Sequence, residues 1–173
     1  MTSINICFST TNGFVSRAIR WFTRARVSHA LITFYDVTLK RVFVMEANGR
    51  GFMLTPWSKW RQSNTLYARY EMTLEKGVQN GALCAVGGHL GAQYDYIGIV
   101  SFALRRVCSR FANPWASSSK MFCSEAVALL LKEAGLAPFS EPEDWTPEDL
   151  LKAVEKDPLF RCVESGDAKP ASA

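Results

Sequence analysis

Three residues of the chain have side chains that could together carry out thiol chemistry. Cys123 stands in KMFCSEAVALLLKEAG, where the apolar spacing predicts a helix that begins close to this cysteine. His29 opens the predicted strand HALITFY, and Glu46 ends the neighbouring predicted strand RVFVME. A helix N-terminus lowers the pKa of a thiol, an imidazole can serve as its base, and a carboxylate can orient the imidazole. These residue types therefore predict a nucleophile, a general base and an orienting carboxylate.

Each of the three residues also has an ordinary structural explanation. Cys123 fits a buried, unreactive cysteine, His29 an ordinary surface or core histidine, and Glu46 a solvated strand end. The remaining cysteines lie among apolar neighbours and fit the core explanation better: Cys7, Cys84, Cys108 and Cys162. The catalytic interpretation depends on whether the three residues meet in space, which their spacing alone does not decide.

Metal and disulfide chemistry are not expected. The five cysteines are widely spaced and form no CxxC pair, which favours reduced thiols over a zinc site or a disulfide framework. We therefore expect no metal and no cofactor.

Short elements of both kinds must position the three side chains. Apolar patterns predict strands over 4–9, 29–35, 41–46, 65–72 and 159–164. They also predict helices over 14–26 and 76–90, a partly helical stretch over 94–111, the helix from Cys123 to a stop at Gly135, and a last helix capped by Thr146. The chain of 173 residues fits one α+β domain, for which we expect residues 1–164, followed by a disordered tail over 165–173.

The net charge of +4 is mildly basic and suits an anionic surface without requiring one. Arg17, Arg20 and Arg24 share one side of the predicted first helix and are candidates for such a contact; the alternative is an ordinary solvated helix face. Nucleic acid is not expected as a partner, because no zinc-finger spacing, RNP-like run or glycine-rich phosphate loop is present.

The sequence shows neither a signal peptide nor an apolar run long enough for a transmembrane segment. We therefore expect a protein that is cytoplasmic as synthesised. If its substrate lies outside the cytoplasm, association with a virion or export by a non-Sec route would be needed.

Four blocks of the sequence resemble the circularly permuted papain-like enzymes of the NlpC/P60 superfamily, in its YiiX/YaeF-like branch. They are SRAIRWFTRARVSHALITF, YDYIGI, MFCSEAVALLLKEAG and TPEDL, and they follow one another in the expected order from Ser16 to Leu150. The resemblance implies a permuted papain-like fold, in which an antiparallel sheet packs against helices and the cysteine helix follows the histidine strand.

The resemblance also implies roles for individual residues. Cys123 would be the nucleophile, His29 the general base and acid, and Glu46 the third polar member. Tyr94 falls where the superfamily places a tyrosine hydroxyl near the developing oxyanion; Tyr96 is the competing choice, and aromatic packing is the alternative for both.

The leading functional hypothesis is a cysteine amidase or endopeptidase that acts on peptidoglycan peptides of the bacterial cell wall, delivered by a phage particle or a secretion machine. The second is a hydrolase or acyltransferase for lipid-linked acyl groups, because IGIVSFAL could line an apolar pocket and the three arginines could meet phosphates. The third is a structural component that retains the fold without catalysis.

Overall fold

A six-stranded antiparallel sheet forms the centre of the protein. In the computed structural model, the residues described are 4–10, 25–94, 120–139 and 141–166. The strands of the sheet are β1 (Ile4–Thr10), β2 (His29–Asp36), β3 (Arg41–Asn48), β4 (Gly51–Pro56), β5 (Thr65–Met72) and β8 (Phe160–Ser165). Their order across the sheet is β4-β3-β2-β1-β5-β8, and every neighbouring pair is antiparallel. A short parallel pair, β6 (Gln93–Tyr94) with β7 (Lys120–Met121), lies outside it.

Four α-helices are present in the described ranges. They are α1 (Trp57–Trp60), α2 (Lys76–Gly87), α3 (Cys123–Glu133) and α4 (Pro147–Lys156), and a 3-10 turn covers Pro142–Asp144. The predicted cap of the last helix is confirmed, since the Thr146 hydroxyl accepts a hydrogen bond from the Asp149 N–H at 2.9 Å. The predicted stop is also confirmed, because α3 ends at Glu133 and Gly135, one residue past the Ala134 cap, adopts a φ of 76°. These elements confirm an α+β fold.

The strand β4 was not predicted. The run Asn48–Gly51 forms the tight connection of a hairpin in which Asn48 pairs with Gly51. Gly51 has a φ of 113°, and a Cβ at this position would lie 2.7 Å from the Ala92 carbonyl oxygen, so only glycine fits without rearrangement. The strand begins with this glycine and ends in Pro56, and both residue types are uncommon in strands, so the sequence pattern does not predict β4.

A separate cluster of apolar side chains is buried on each face of the sheet. Successive residues of a strand point to opposite faces, so Ile6 and Phe8 enter one cluster while Cys7 enters the other. The larger cluster includes side chains of α2, α3 and α4, among them Val127, Leu130 and Leu131. The smaller cluster includes Trp60 of α1. Helices therefore cover the sheet from both sides, with α3 against β2 and α1 against β3 and β4.

Strand β8 closes one edge of the sheet and corrects the predicted tail boundary. Ser165, assigned from sequence to the tail, is the last residue of β8 and pairs with Ala68. The N–H of Gly166 also donates to the Tyr67 carbonyl at 2.7 Å. Residues 167–173, most of the predicted helix 14–26 and most of the stretch 94–111 lie outside the described ranges.

Candidate active site

Strands β2 and β3 bring His29 and Glu46 into contact. The strands are antiparallel neighbours, so the first residue of β2 and the last residues of β3 lie at the same end of the sheet. The His29 Nε2 and Glu46 Oε2 atoms are 2.7 Å apart, and both side chains are largely buried. The ring and the carboxylate therefore form a charge-assisted hydrogen bond in which the imidazole donates.

Helix α3 supplies the third residue. Cys123 is the first residue of α3 and is 5% exposed. The Glu125 carboxylate accepts from the Phe122 N–H at 3.2 Å, which stabilises the start of the helix. The Cys123 sulfur interacts with His29 by charge and by a hydrogen bond, and the backbone N–H groups of Ala30 and Ser124 also hydrogen-bond to it. The structure thus places Cys123, His29 and Glu46 together, with α3 reaching them from the larger core.

Two further residues hold the carboxylate of Glu46, and the sequence analysis did not find them. The Trp60 Nε1–H donates to Glu46 Oε2 at 2.9 Å, and the Asn48 side-chain amide donates to Glu46 Oε1 at 3.0 Å. Asn48 carries a detectable signal, because it follows Glu46 by two residues on β3 and so shares its face of the sheet. Trp60 carries no such signal, since α1 meets β3 only in the tertiary structure.

The electrostatics of the group favour separated charges on Cys123 and His29. Burial lowers the pKa of His29, but the neighbouring Cys123 and Glu46 outweigh it and raise the pKa to about 10. Burial raises the pKa of Cys123, yet the charge and hydrogen bond of His29, with the two backbone donors, bring it below its ordinary value. For Glu46, burial is likewise outweighed by His29, Asn48 and Trp60, and the pKa of the carboxyl is lowered. The arrangement therefore stabilises a thiolate, an imidazolium and a carboxylate in sequence.

Other sequence-predicted site residues fall outside the description of the structure. Arg17, Arg20, Arg24 and Tyr96 lie outside the described residues. The backbone of Tyr94 belongs to β6, but its side chain is not described. Their roles stay predictions.

The described ranges contain neither a metal-ligating cluster nor a membrane-spanning helix. These residues contain no group of three or more histidine, cysteine, aspartate or glutamate side chains that could hold a metal ion. Nor does this part of the chain contain a helix that is long and apolar enough to cross a membrane.

Comparisons with known proteins identify a shared fold. No protein-family model matches the chain, and no curated protein matches it. A solved structure does match, described as the crystal structure of metalloprotein YiiX from Escherichia coli O157:H7, DUF1105. The two proteins share 20% sequence identity. Their structural match has a TM-score of 0.67 and covers 94% of this chain and 96% of that one. The chain therefore has a YiiX-like fold over nearly its whole length.

Proposed function

We propose that the protein is a cysteine hydrolase with Cys123 as its nucleophile, His29 as its general acid and base, and Glu46 as the residue that orients His29. The observation that carries the proposal is the continuous contact from the thiol at the start of α3, through the imidazole, to the carboxylate on β3. A helix start holds the thiol rigidly, while the imidazolium stabilises its charge.

The reaction begins when the Cys123 thiolate attacks a carbonyl carbon and the carbonyl electrons move to its oxygen. The Nε2 atom of His29 is hydrogen-bonded to Glu46. In this proposal Nδ1 is therefore the ring nitrogen that interacts with the thiol and gives its proton to the leaving group. When the tetrahedral intermediate collapses, the departing amine takes a proton from the His29 imidazolium, and the acyl group remains on sulfur. Neutral His29 then removes a proton from water, which attacks the thioester and releases the acid and the Cys123 thiolate.

The developing oxyanion needs donors that are already in place. In this proposal the backbone N–H groups at the start of α3 supply them, together with a tyrosine hydroxyl from Tyr94 or Tyr96. Such a donor is worth roughly 3 kcal/mol of transition-state stabilisation. The tyrosine assignment rests on the sequence resemblance.

The proposed substrates are peptide stems of the bacterial cell wall. Support comes from the sequence resemblance to the NlpC/P60 superfamily, which includes cell-wall peptidases. The rival substrate class, lipid-linked acyl groups, rests on the apolar run IGIVSFAL, which lies outside the described residues.

A metal-dependent reaction does not suit the residues described. The solved structure is described as that of a metalloprotein, and a metal in this chain would need its own set of ligands. The described residues hold no suitable ligand cluster, and Nε2 of His29 is engaged by Glu46 and its ring also interacts with Cys123. We therefore derive no step through a metal.

The test is incubation with purified peptidoglycan and, separately, with acylated lipids, followed by mass spectrometry of the products. We expect new peptide fragments with the wild type and with Cys84→Ala, which removes an exposed thiol, and none with Cys123→Ala. A free acid released only from lipid would replace the peptide assignment with the lipid one. If neither substrate is cut, and an activated ester fails to acylate Cys123, the hydrolase proposal is wrong and the non-catalytic alternative holds.

A further inference from the structure

We propose that Trp60 and Asn48 are positioning residues of the active site, which hold the Glu46 carboxylate ionised and aimed at His29; this inference rests on the proposed hydrolase function. Each residue donates to a different oxygen of the carboxylate. The site then comprises five residues instead of three, and α1 contributes one of them, Trp60.

The position of Trp60 makes it more than a packing residue. Its indole is 2% exposed, and its N–H reaches the same oxygen, Oε2, that His29 contacts. Two donors on one oxygen determine the direction from which each can approach, so the indole limits the rotation of the Glu46 carboxylate. Because α1 packs against β3 and β4, the indole enters from the smaller core cluster, opposite the larger one that carries α3.

Asn48 holds the second oxygen and is itself held. Its amide nitrogen donates to Glu46 Oε1 at 3.0 Å and contacts the Met53 sulfur at 3.4 Å. Its carbonyl oxygen accepts from the Arg50 N–H at 2.9 Å within the β3–β4 connection. The tight connection between β3 and β4 thus also orients the Asn48 amide toward the carboxylate of Glu46.

The two donors serve the charge of the carboxylate as well as its direction. A buried carboxylate without donors tends to become protonated, because burial penalises its charge. Among the described residues, the titratable groups shown around Glu46 are His29 from β2, which contacts it, and Cys123 from α3 on the far side of the ring. If Glu46 were protonated, its proton could occupy the oxygen that orients His29, and the ring would lose its fixed direction.

Three variants separate positioning from packing. Trp60→Phe removes the indole N–H but keeps an aromatic ring against Trp57, whose ring stacks on that of Trp60 at 5.2 Å. Asn48→Asp keeps an oxygen for the Arg50 N–H but replaces the donor to Glu46 with a carboxylate. Trp57→Phe is the matched control, because it alters the same aromatic pair without removing a described donor to Glu46. A melting curve for each variant checks that it is folded.

The first readout is the titration of Glu46 in protein carrying ¹³C-labelled glutamate carboxyls, assigned with Glu46→Gln. In the wild type and in Trp57→Phe, we expect Glu46 to titrate below the ordinary glutamate value of about 4.3. In Trp60→Phe we expect its pKa to move upward, since a donor to the charged form has been removed. In Asn48→Asp the lost donor and the added negative charge both move the pKa of Glu46 upward. This measurement needs no substrate.

The second readout is turnover on the substrate identified by the product screen. We expect kcat to fall about tenfold in Trp60→Phe and in Asn48→Asp with KM little changed, because a hydrogen bond to a charged group that acts through His29 is lost. An unchanged Glu46 titration in both variants would overturn the inference even where Cys123→Ala abolishes hydrolysis. If the wild type shows no activity but the pKa of Glu46 still rises in the variants, the hydrolase function is overturned and the positioning role of the two donors is supported. If Trp60→Phe does not fold, Asn48→Ala, which removes the amide donor to Glu46 without adding a charge, decides the outcome, again with a melting curve as the check on folding.

Discussion

Two buried cysteines of this protein have opposite chemistry. Cys7 is fully buried in β1, and Cys123 is nearly as buried at the start of α3. Burial raises the pKa of Cys7 to about 12, and the hydrogen bond with the Thr33 hydroxyl, 3.5 Å from its sulfur, acts in the opposite direction without reversing this. Burial also acts on Cys123, but His29 and two backbone N–H groups reverse its effect and lower the pKa.

The partners of a buried thiol, more than its exposure, decide whether the thiol or the thiolate is stable. A neutral hydroxyl can hydrogen-bond a buried thiolate but supplies no net charge, whereas an imidazolium supplies both. Cys7 is therefore expected to behave as a small apolar side chain, and Cys123 as a stabilised anion. The following experiments test that difference.

Removal of each cysteine in turn gives the largest expected contrast. We expect Cys123→Ala to reduce hydrolysis by about a thousandfold or more, because the nucleophile is lost. His29→Ala should cause a loss of similar size. Turnover measured beside Cys7→Ala checks this, and comparable activity of Cys123→Ala and Cys7→Ala would show that the nucleophile lies elsewhere.

Alkylation compares the two thiols without any substrate. At neutral pH we expect iodoacetamide to label Cys123 at least about a hundredfold faster than Cys7, since the thiolate fraction sets the rate. Cys123 should also be labelled before Cys84, Cys108 and Cys162. Peptide mapping after brief treatment gives the order, and His29→Ala should slow labelling of Cys123. Labelling of Cys7 or Cys162 ahead of Cys123 would contradict the assignment.

The pH profile tests the charge partner of Cys123. His29 has a raised pKa of about 10, so its imidazolium is present at neutral pH and is lost as the pH rises through that value. Above it we expect turnover to fall about tenfold per pH unit, because the leaving group loses its proton donor. Initial rates between pH 7 and 11, checked for intact fold at each pH, would reveal this. A fall near pH 6 to 7 instead would mean that His29 is not paired in this way.

Glu46→Gln weakens the support of the imidazolium and leaves the thiol unchanged. We expect turnover to fall about tenfold, a smaller loss than for Cys123→Ala, since an amide can still accept a hydrogen bond from His29. The Gln amide must also fit between donors from Trp60 and Asn48, so a modest loss of stability should accompany the change. Full activity with an unchanged melting curve would remove Glu46 from the site.

Cys7→Ala has the smallest expected effect on chemistry. We expect turnover within about twofold of the wild type and a loss of roughly 1–2 kcal/mol in the free energy of unfolding, because a filled core position is emptied. Chemical denaturation measures the stability. A drop in turnover that exceeds the loss of folded protein would mean that the β1 thiol contributes to the reaction.

Local sequence patterns were sufficient for the elements that carry the three reactive residues. Helical spacing with a start near Cys123 predicted α3, and apolar runs predicted β2 and β3, with His29 and Glu46 at their ends. Such patterns reflect side-chain periodicity over a few residues, which a single sequence contains in full. The hairpin strand β4 was not predicted, because the glycine and proline at its ends are typical of turns.

The contacts between those elements were decided by the tertiary structure. The sequence distinguishes Cys123 from Cys7 by its place near a predicted helix start, but only packing places Cys123 beside an imidazole and Cys7 beside a hydroxyl. Trp60 reaches Glu46 only because α1 packs on β3. The residue types and their local elements were determined by the sequence alone, because both depend on neighbours along the chain. The charge state of each thiol was determined by the fold, because it depends on neighbours in space.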